Sequence, residues 1–202
     1  MYRWHNKHNL YGYPADTYPT FPWIHSLETR FNWLKLNHSN LETSSIYLLR
    51  EMIQWGGSQN GVLQKFDEGL GEVNLHELLS ETIQNLGKPK EAIRSALKFP
   101  GMGLTYASKL LRFLEPERYG AIDSRVRKAL TIVPRSYDGN KNSMVNGYAE
   151  FLNAIDTLRG QLNSAKLQRP KCKLWTSTSD DWRAADIEMA IFKSADEEPE
   201  VK

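Results

Sequence analysis

The stretch that decides how this chain is read is FPGMGLTYASKLLRFLEPERYGAIDSRV, residues 99–126. Gly101 and Gly103 stand one residue apart between two segments of helical pattern, 89–98 and 105–114. Glycine tolerates positive φ and has no Cβ, so such a turn is tight and lets another backbone or a ligand come close. Shortly afterwards comes Ile122-Asp123-Ser124-Arg125-Val126. Packing accounts for the leucines. It leaves the paired glycines and Asp123 without a purpose.

Outward from this stretch the pattern is helical. In HSLETRFNWLKL (25–36), Leu27, Phe31 and Leu34 recur at helical spacing. In ETSSIYLLREMIQW (42–55), Ile46, Leu49 and Ile53 share a face that Gly56-Gly57 ends. Asn74 opens the next segment with Glu77 three residues on, a capping-box spacing, and Gly87 closes it. Pro89 suits a first helical turn. DSRVRKAL (123–130) reads as a short helix capped by Asp123 or Ser124, and two more helical patterns cover 143–162 and 180–195. No period-2 strand and no internal repeat is found. The expected class is all-α.

The 202 residues suit a single helical domain over 1–195. Its parts would be an irregular aromatic arm (1–25), the paired helices (89–114), a loop carrying Asp123 (115–130) and a polar connection over 162–179. A disordered acidic tail is expected at 196–202. No apolar run approaches the ~20 residues of a membrane span, and the N-terminus lacks an apolar signal region. Cys172 is the only cysteine, which excludes an internal disulfide and a four-cysteine zinc or iron–sulfur site. His25 and His38 lack metal-like spacing and read as structural or surface residues. The expectation is a cytoplasmic monomer with no cofactor and no transition metal.

Charge is unevenly spread. Residues 88–135 hold eleven Lys/Arg against four carboxylates, a net of +7, which leaves −5 for the remainder. Such asymmetry points to a polyanion, although solvated helix faces produce it too. Lys98, Lys109 and Arg112 flank the glycine turn, and the N-terminus of the second helix offers free amides to the same place. Asp123 sits among Arg118, Arg125, Arg127 and Lys128. It is either a helix cap or a carboxylate that opposes a positive charge formed only during reaction.

Together, FPGMGLTYASKLL and IDSRV resemble the signature of the helix–hairpin–helix DNA glycosylase superfamily. In that family the hairpin reads roughly Leu-Pro-Gly-Val-Gly-x-x-Thr-Ala, and the catalytic aspartate lies in a Val-Asp-Thr-x-Val-like context. Aligned on the glycines, Ala107 matches the motif alanine and Asp123 the catalytic aspartate. Thr105 occupies the place of the Schiff-base lysine of bifunctional members. The likeness covers about 30 residues. Without the four-cysteine cluster, and with MIQWGG at 52–57, it leans toward the small 8-oxoguanine-glycosylase-fold branch.

The resemblance implies a monofunctional glycosylase acting on double-stranded DNA. Such an enzyme flips a modified or damaged base out of the stack and hydrolyses its N-glycosidic bond. The base would be an oxidised purine (DNA repair) or a modified pyrimidine of phage DNA (antiviral defence). Asp123 would stabilise the oxocarbenium ion at C1′. DNA would be held by Lys98, Gly101, Gly103, Thr105, Lys109, Arg125, Arg127 and Lys128, with a monovalent cation bridging the hairpin backbone to a phosphate. Trp23, Trp55 and Gln59 are candidates for the base pocket, and core packing is the alternative for both tryptophans. Two rival readings stay open: a non-catalytic helix–hairpin–helix DNA-binding module, and a bifunctional glycosylase/lyase using Lys109.

Overall fold

The computed structural model describes residues 22–38, 42–130, 140–169 and 179–194. Among these, all regular structure is helical. The helices are α1 (Pro22–Asn37), α2 (Glu42–Trp55), α3 (Val62–Gly69), α4 (Leu75–Gln84) and α5 (Pro89–Ala96). They continue with α6 (Leu104–Leu114), α7 (Ser124–Ala129), α8 (Lys141–Ser164) and α9 (Ala184–Ser194). No helix among the described residues is long and apolar enough to cross a membrane.

Helix α6 is the centre of the packing. Leu104 and every residue from Tyr106 to Leu114 are buried, with Thr105 half-buried. It packs against α1, α2 and α5, while α8 packs against α5 and α9, and α9 against α7. Phe113 of α6 stacks on Phe31 of α1 at 5.6 Å and meets the Trp55 ring edge-on at 4.9 Å. Burying each such side chain contributes roughly 1.5–3 kcal/mol, so α6 is fixed from several sides.

Local chemistry sets the helix ends. The Asn74 side chain accepts from the Glu77 amide at 3.2 Å, and Asn140 caps α8 by accepting from Asn142 and Ser143. Pro89 occupies the first turn of α5. The same logic corrects the expected arm: Pro22 starts α1, so residues 22–25 are helical. Residues 1–21, and the expected acidic tail at 196–202, lie outside the described residues. At the other end α8 continues to Ser164, into the expected polar connection. Helix α9 starts at Ala184, later than the pattern from 180 suggested.

Candidate active site

The two glycines of the turn between α5 and α6 have different reasons to be glycine. Gly101 has φ +69°, and a Cβ there would lie 2.8 Å from Lys65 Cβ and 3.0 Å from the Val62 carbonyl oxygen. It lets the turn press against α3. Gly103 has an ordinary φ of −80°, and a Cβ on it would meet nothing within 4 Å. It is exposed and is the N-cap of α6, with no side chain to cap that helix. Neither backbone strain nor internal packing requires a glycine at 103.

From α6 the chain passes through the turn at Pro116–Arg118 and runs without regular secondary structure to Asp123, and successive residues of that run are tied down. The Tyr119 hydroxyl donates to the Leu86 carbonyl at 2.6 Å. Tyr148 of α8 donates to the Gly120 carbonyl at 2.9 Å. The Ile122 amide donates to Ser108 Oγ at 3.0 Å, and that hydroxyl donates to the Thr105 carbonyl at 2.9 Å. Asp123 therefore reaches the start of α7 from an anchored backbone. Its Oδ1 accepts from the amides of Arg125 and Val126 at 3.0 and 2.9 Å. Asp123, and not Ser124, is the cap. Both bonds fall on one oxygen, and the half-buried carboxylate keeps Oδ2 outside the cap.

A second cluster lies where the end of α2 meets α6. The Tyr106 hydroxyl donates to the Gly56 carbonyl at 3.2 Å and accepts from the Gln59 amide at 3.0 Å. Lys109 Nζ lies 3.4 Å from the same Gly56 oxygen, 5.0 Å from the Tyr106 ring centre and 5.5 Å from that of Trp55. Lys109 is only 8% exposed. Burial lowers the pKa of its amine, opposed by the negative charges of Asp123 and Glu188. Burial likewise raises that of the Tyr106 phenol, against the hydrogen bond from Gln59.

The structure thus gathers Trp55, Gly56, Tyr106 and Lys109, with Asp123 in electrostatic reach of the lysine. Gln59 is exposed and joins the cluster by its backbone amide. Trp23 is placed at the α1–α2 contact, where its indole donates to Glu51 at 3.0 Å. His25 is half-buried on α1, and His38 follows the last residue of that helix with Nδ1 3.0 Å from the Lys35 carbonyl oxygen.

The basic surface is smaller than the charge count implied. Lys109 and Arg112 lie in the interior, so neither contributes to an exposed phosphate-facing surface. A helix buried on every side brings its cations in with it. Lys98 is exposed but paired with Glu81 at 2.6 and 2.8 Å. Arg125 lies over the Phe192 ring at 4.9 Å, Arg127 is half-buried and Lys128 is exposed. Sequence reasoning missed Tyr106, Gly56 and Glu188 as members of this region. A helical pattern records Tyr106 and Gly56 as packing residue and terminator. The only signal for Glu188 is a carboxylate inside the apolar run from Ile187 to Phe192.

In comparisons with known proteins, no family model matches the chain, and no curated protein or solved structure matches it either.

Proposed function

We propose that the protein is a monofunctional DNA glycosylase in which Asp123 stabilises the oxocarbenium ion as the N-glycosidic bond breaks. The observation that carries this reading is the division of labour on Asp123: Oδ1 holds the carboxylate as a helix cap, while Oδ2 stays outside the cap. A carboxylate fixed by one oxygen is pre-oriented and can oppose positive charge with the other. Gly103, which needs no glycine for its own backbone, leaves room for a phosphate at the N-terminus of α6. Trp55, half-buried at the end of α2, offers an aromatic side chain to a flipped base.

The test is incubation with oligonucleotides carrying oxidised purines or modified pyrimidines, and with phage genomes, followed by hot alkali to cut at abasic sites. Alkali-labile sites with the wild-type protein, absent with Asp123→Asn, support the reading. DNA binding without abasic sites on any substrate favours the binding module.

A second reading has one observation of its own. Burial drives the Lys109 amine toward the neutral, nucleophilic form beside Asp123. Such an amine can condense with the C1′ aldehyde of an abasic site and release water, forming an imine that borohydride reduces. The monofunctional reading, with Thr105 in the motif's lysine position, expects no adduct on preformed abasic DNA. Efficient trapping that Lys109→Met abolishes replaces it with the lyase reading.

A further inference from the structure

Ser108 places a fully buried hydroxyl in the middle of α6. Alanine suits such a position better on two counts: it is the stronger helix former, and it brings no polar group that must be desolvated. Packing therefore does not explain the hydroxyl. Its bonds do. Ser108 Oγ accepts from the Ile122 amide at 3.0 Å and donates to the Thr105 carbonyl, three residues back on its own helix, at 2.9 Å. Serine in a helix interior commonly bonds back to a carbonyl of the preceding turn, but here the same oxygen also accepts from a segment 14 residues away.

The two bonds join two parts of the candidate site. Thr105 lies in the first turn of α6, two residues from Gly103, where the glycosylase reading seats a phosphate. Ile122 immediately precedes Asp123, whose Oδ1 is committed to the α7 cap. Two residues before Ile122 the run is confined by α8 and α9. A Cβ on Gly120 would stand 2.8 Å from Glu188 Cβ and 3.3 Å from Phe151 Cζ, and Tyr148 holds the Gly120 carbonyl at 2.9 Å. The run is thus held by α8 and α9 at Gly120 and fastened to α6 at Ile122.

We propose that Ser108 is a positioning residue that sets the spacing between the phosphate seat at the start of α6 and the Asp123 carboxylate, by linking the Thr105 carbonyl to the Ile122 amide. The proposal rests on the glycosylase reading for its consequence, and on these two hydrogen bonds for its structure. DNA held by its backbone at α6 then presents C1′ to a carboxylate whose backbone is registered against the same helix. Removing the hydroxyl breaks that register and lets Asp123 Oδ2 drift from the reacting carbon. The exposed surface that meets DNA stays as it was, because Ser108 is no part of it.

The experiment compares wild type, Ser108→Ala, which removes the hydroxyl, and Ser108→Thr, which keeps it. Amide hydrogen exchange at Ile122 reads the tie, with the Leu110 amide inside α6 as the reference for global opening. Single-turnover base excision and a separate DNA-binding measurement read the consequence. Ser108→Ala is expected to speed exchange at Ile122 more than at Leu110 and to slow excision roughly ten- to a hundredfold, with DNA affinity unchanged. Ser108→Thr is expected to stay near wild type in all three. Exchange that is unchanged in Ser108→Ala, or that rises equally at both amides, overturns the tie. Wild-type excision despite faster exchange at Ile122 overturns the positioning role, as does excision lost equally in both variants or a matching loss of DNA affinity. Should Ser108→Ala fail to fold, Ser108→Cys takes its place with the same readings, because a thiol is only a weak acceptor. If the wild-type protein excises no base, the glycosylase reading falls, and the exchange measurement still decides whether Ser108 holds the run.

Discussion

Lys109 Nζ on α6 lies 3.4 Å from the carbonyl oxygen of Gly56 at the end of α2. A Cβ on Gly56 would stand 3.0 Å from that nitrogen and 2.8 Å from Tyr106 Cε1. The Tyr106 ring cannot swing aside freely, because its hydroxyl is engaged by Gly56 and Gln59.

Gly56→Ala should therefore overpack this junction and lower stability by about 1–3 kcal/mol. A urea titration at neutral pH reads the change as a lower midpoint. An unshifted midpoint would show that the α2–α6 junction has slack.

The two turn glycines should behave differently. Gly103→Val meets open space and an ordinary backbone, and valine caps a helix less well than glycine, so its melting temperature should fall only slightly. DNA affinity should fall on every sequence tested, because the side chain occupies the space a phosphate needs. Gly101→Ala places a methyl on a positive-φ backbone against Lys65 and Val62, and should lower the melting temperature. Loss of folding in Gly103→Val, or intact DNA binding, contradicts the role given to that glycine.

Asp123→Asn should retain the cap, since Asn serves about as well as Asp at that position and Oδ1 is the capping atom. Melting should change little and DNA affinity should hold or rise. Excision should slow by orders of magnitude, each factor of ten corresponding to about 1.4 kcal/mol in the barrier.

Burial pushes the Glu188 carboxyl up to about 8; Arg112 opposes this, Asp123 adds to it, and Lys109 and the Ala121 amide oppose it. Tyr148 of α8 faces it as well, and Asp186 lies on its own helix. The folded state binds this proton more tightly than the unfolded chain. Its contribution to stability is complete below the usual carboxylate range, shrinks as pH rises toward 8 and is then constant. Glu188→Gln carries no such proton in either state. Relative to wild type it should gain stability between pH 5 and pH 8.5 in urea melts, on the order of a few kcal/mol. A constant difference across that window would contradict the raised ionisation.

Much of the architecture was legible because helix periodicity and capping are local. Leu27, Phe31 and Leu34 mark the buried face of α1, Asn74 caps α4, and Asp123 caps α7. The interior cations were not legible. Lys109 and Arg112 read as surface charge because that is where lysine and arginine normally lie. Only the packing of α1, α2 and α9 around α6 reveals that they face Trp55, Glu28 and Glu188. The same limit hid Tyr106, whose partners are 47 and 50 residues away. It also hid the start of α1, because aromatic and proline-rich sequence around Pro22 gives no periodic signal.

The segment that follows Trp55 contrasts with everything behind it. Gly57, Gln59, Asn60 and Gly61 are exposed, and Ser58 and Asn60 adopt left-handed backbone without being glycine. Asp123 and Lys109, by contrast, sit on backbone bound into the core. Substitutions in 57–61 change what is offered beside the aromatic cluster while leaving the frame of the carboxylate and the amine undisturbed. Sequence change in this one short loop can therefore reshape the surface beside the aromatic cluster while the frame behind it is inherited intact.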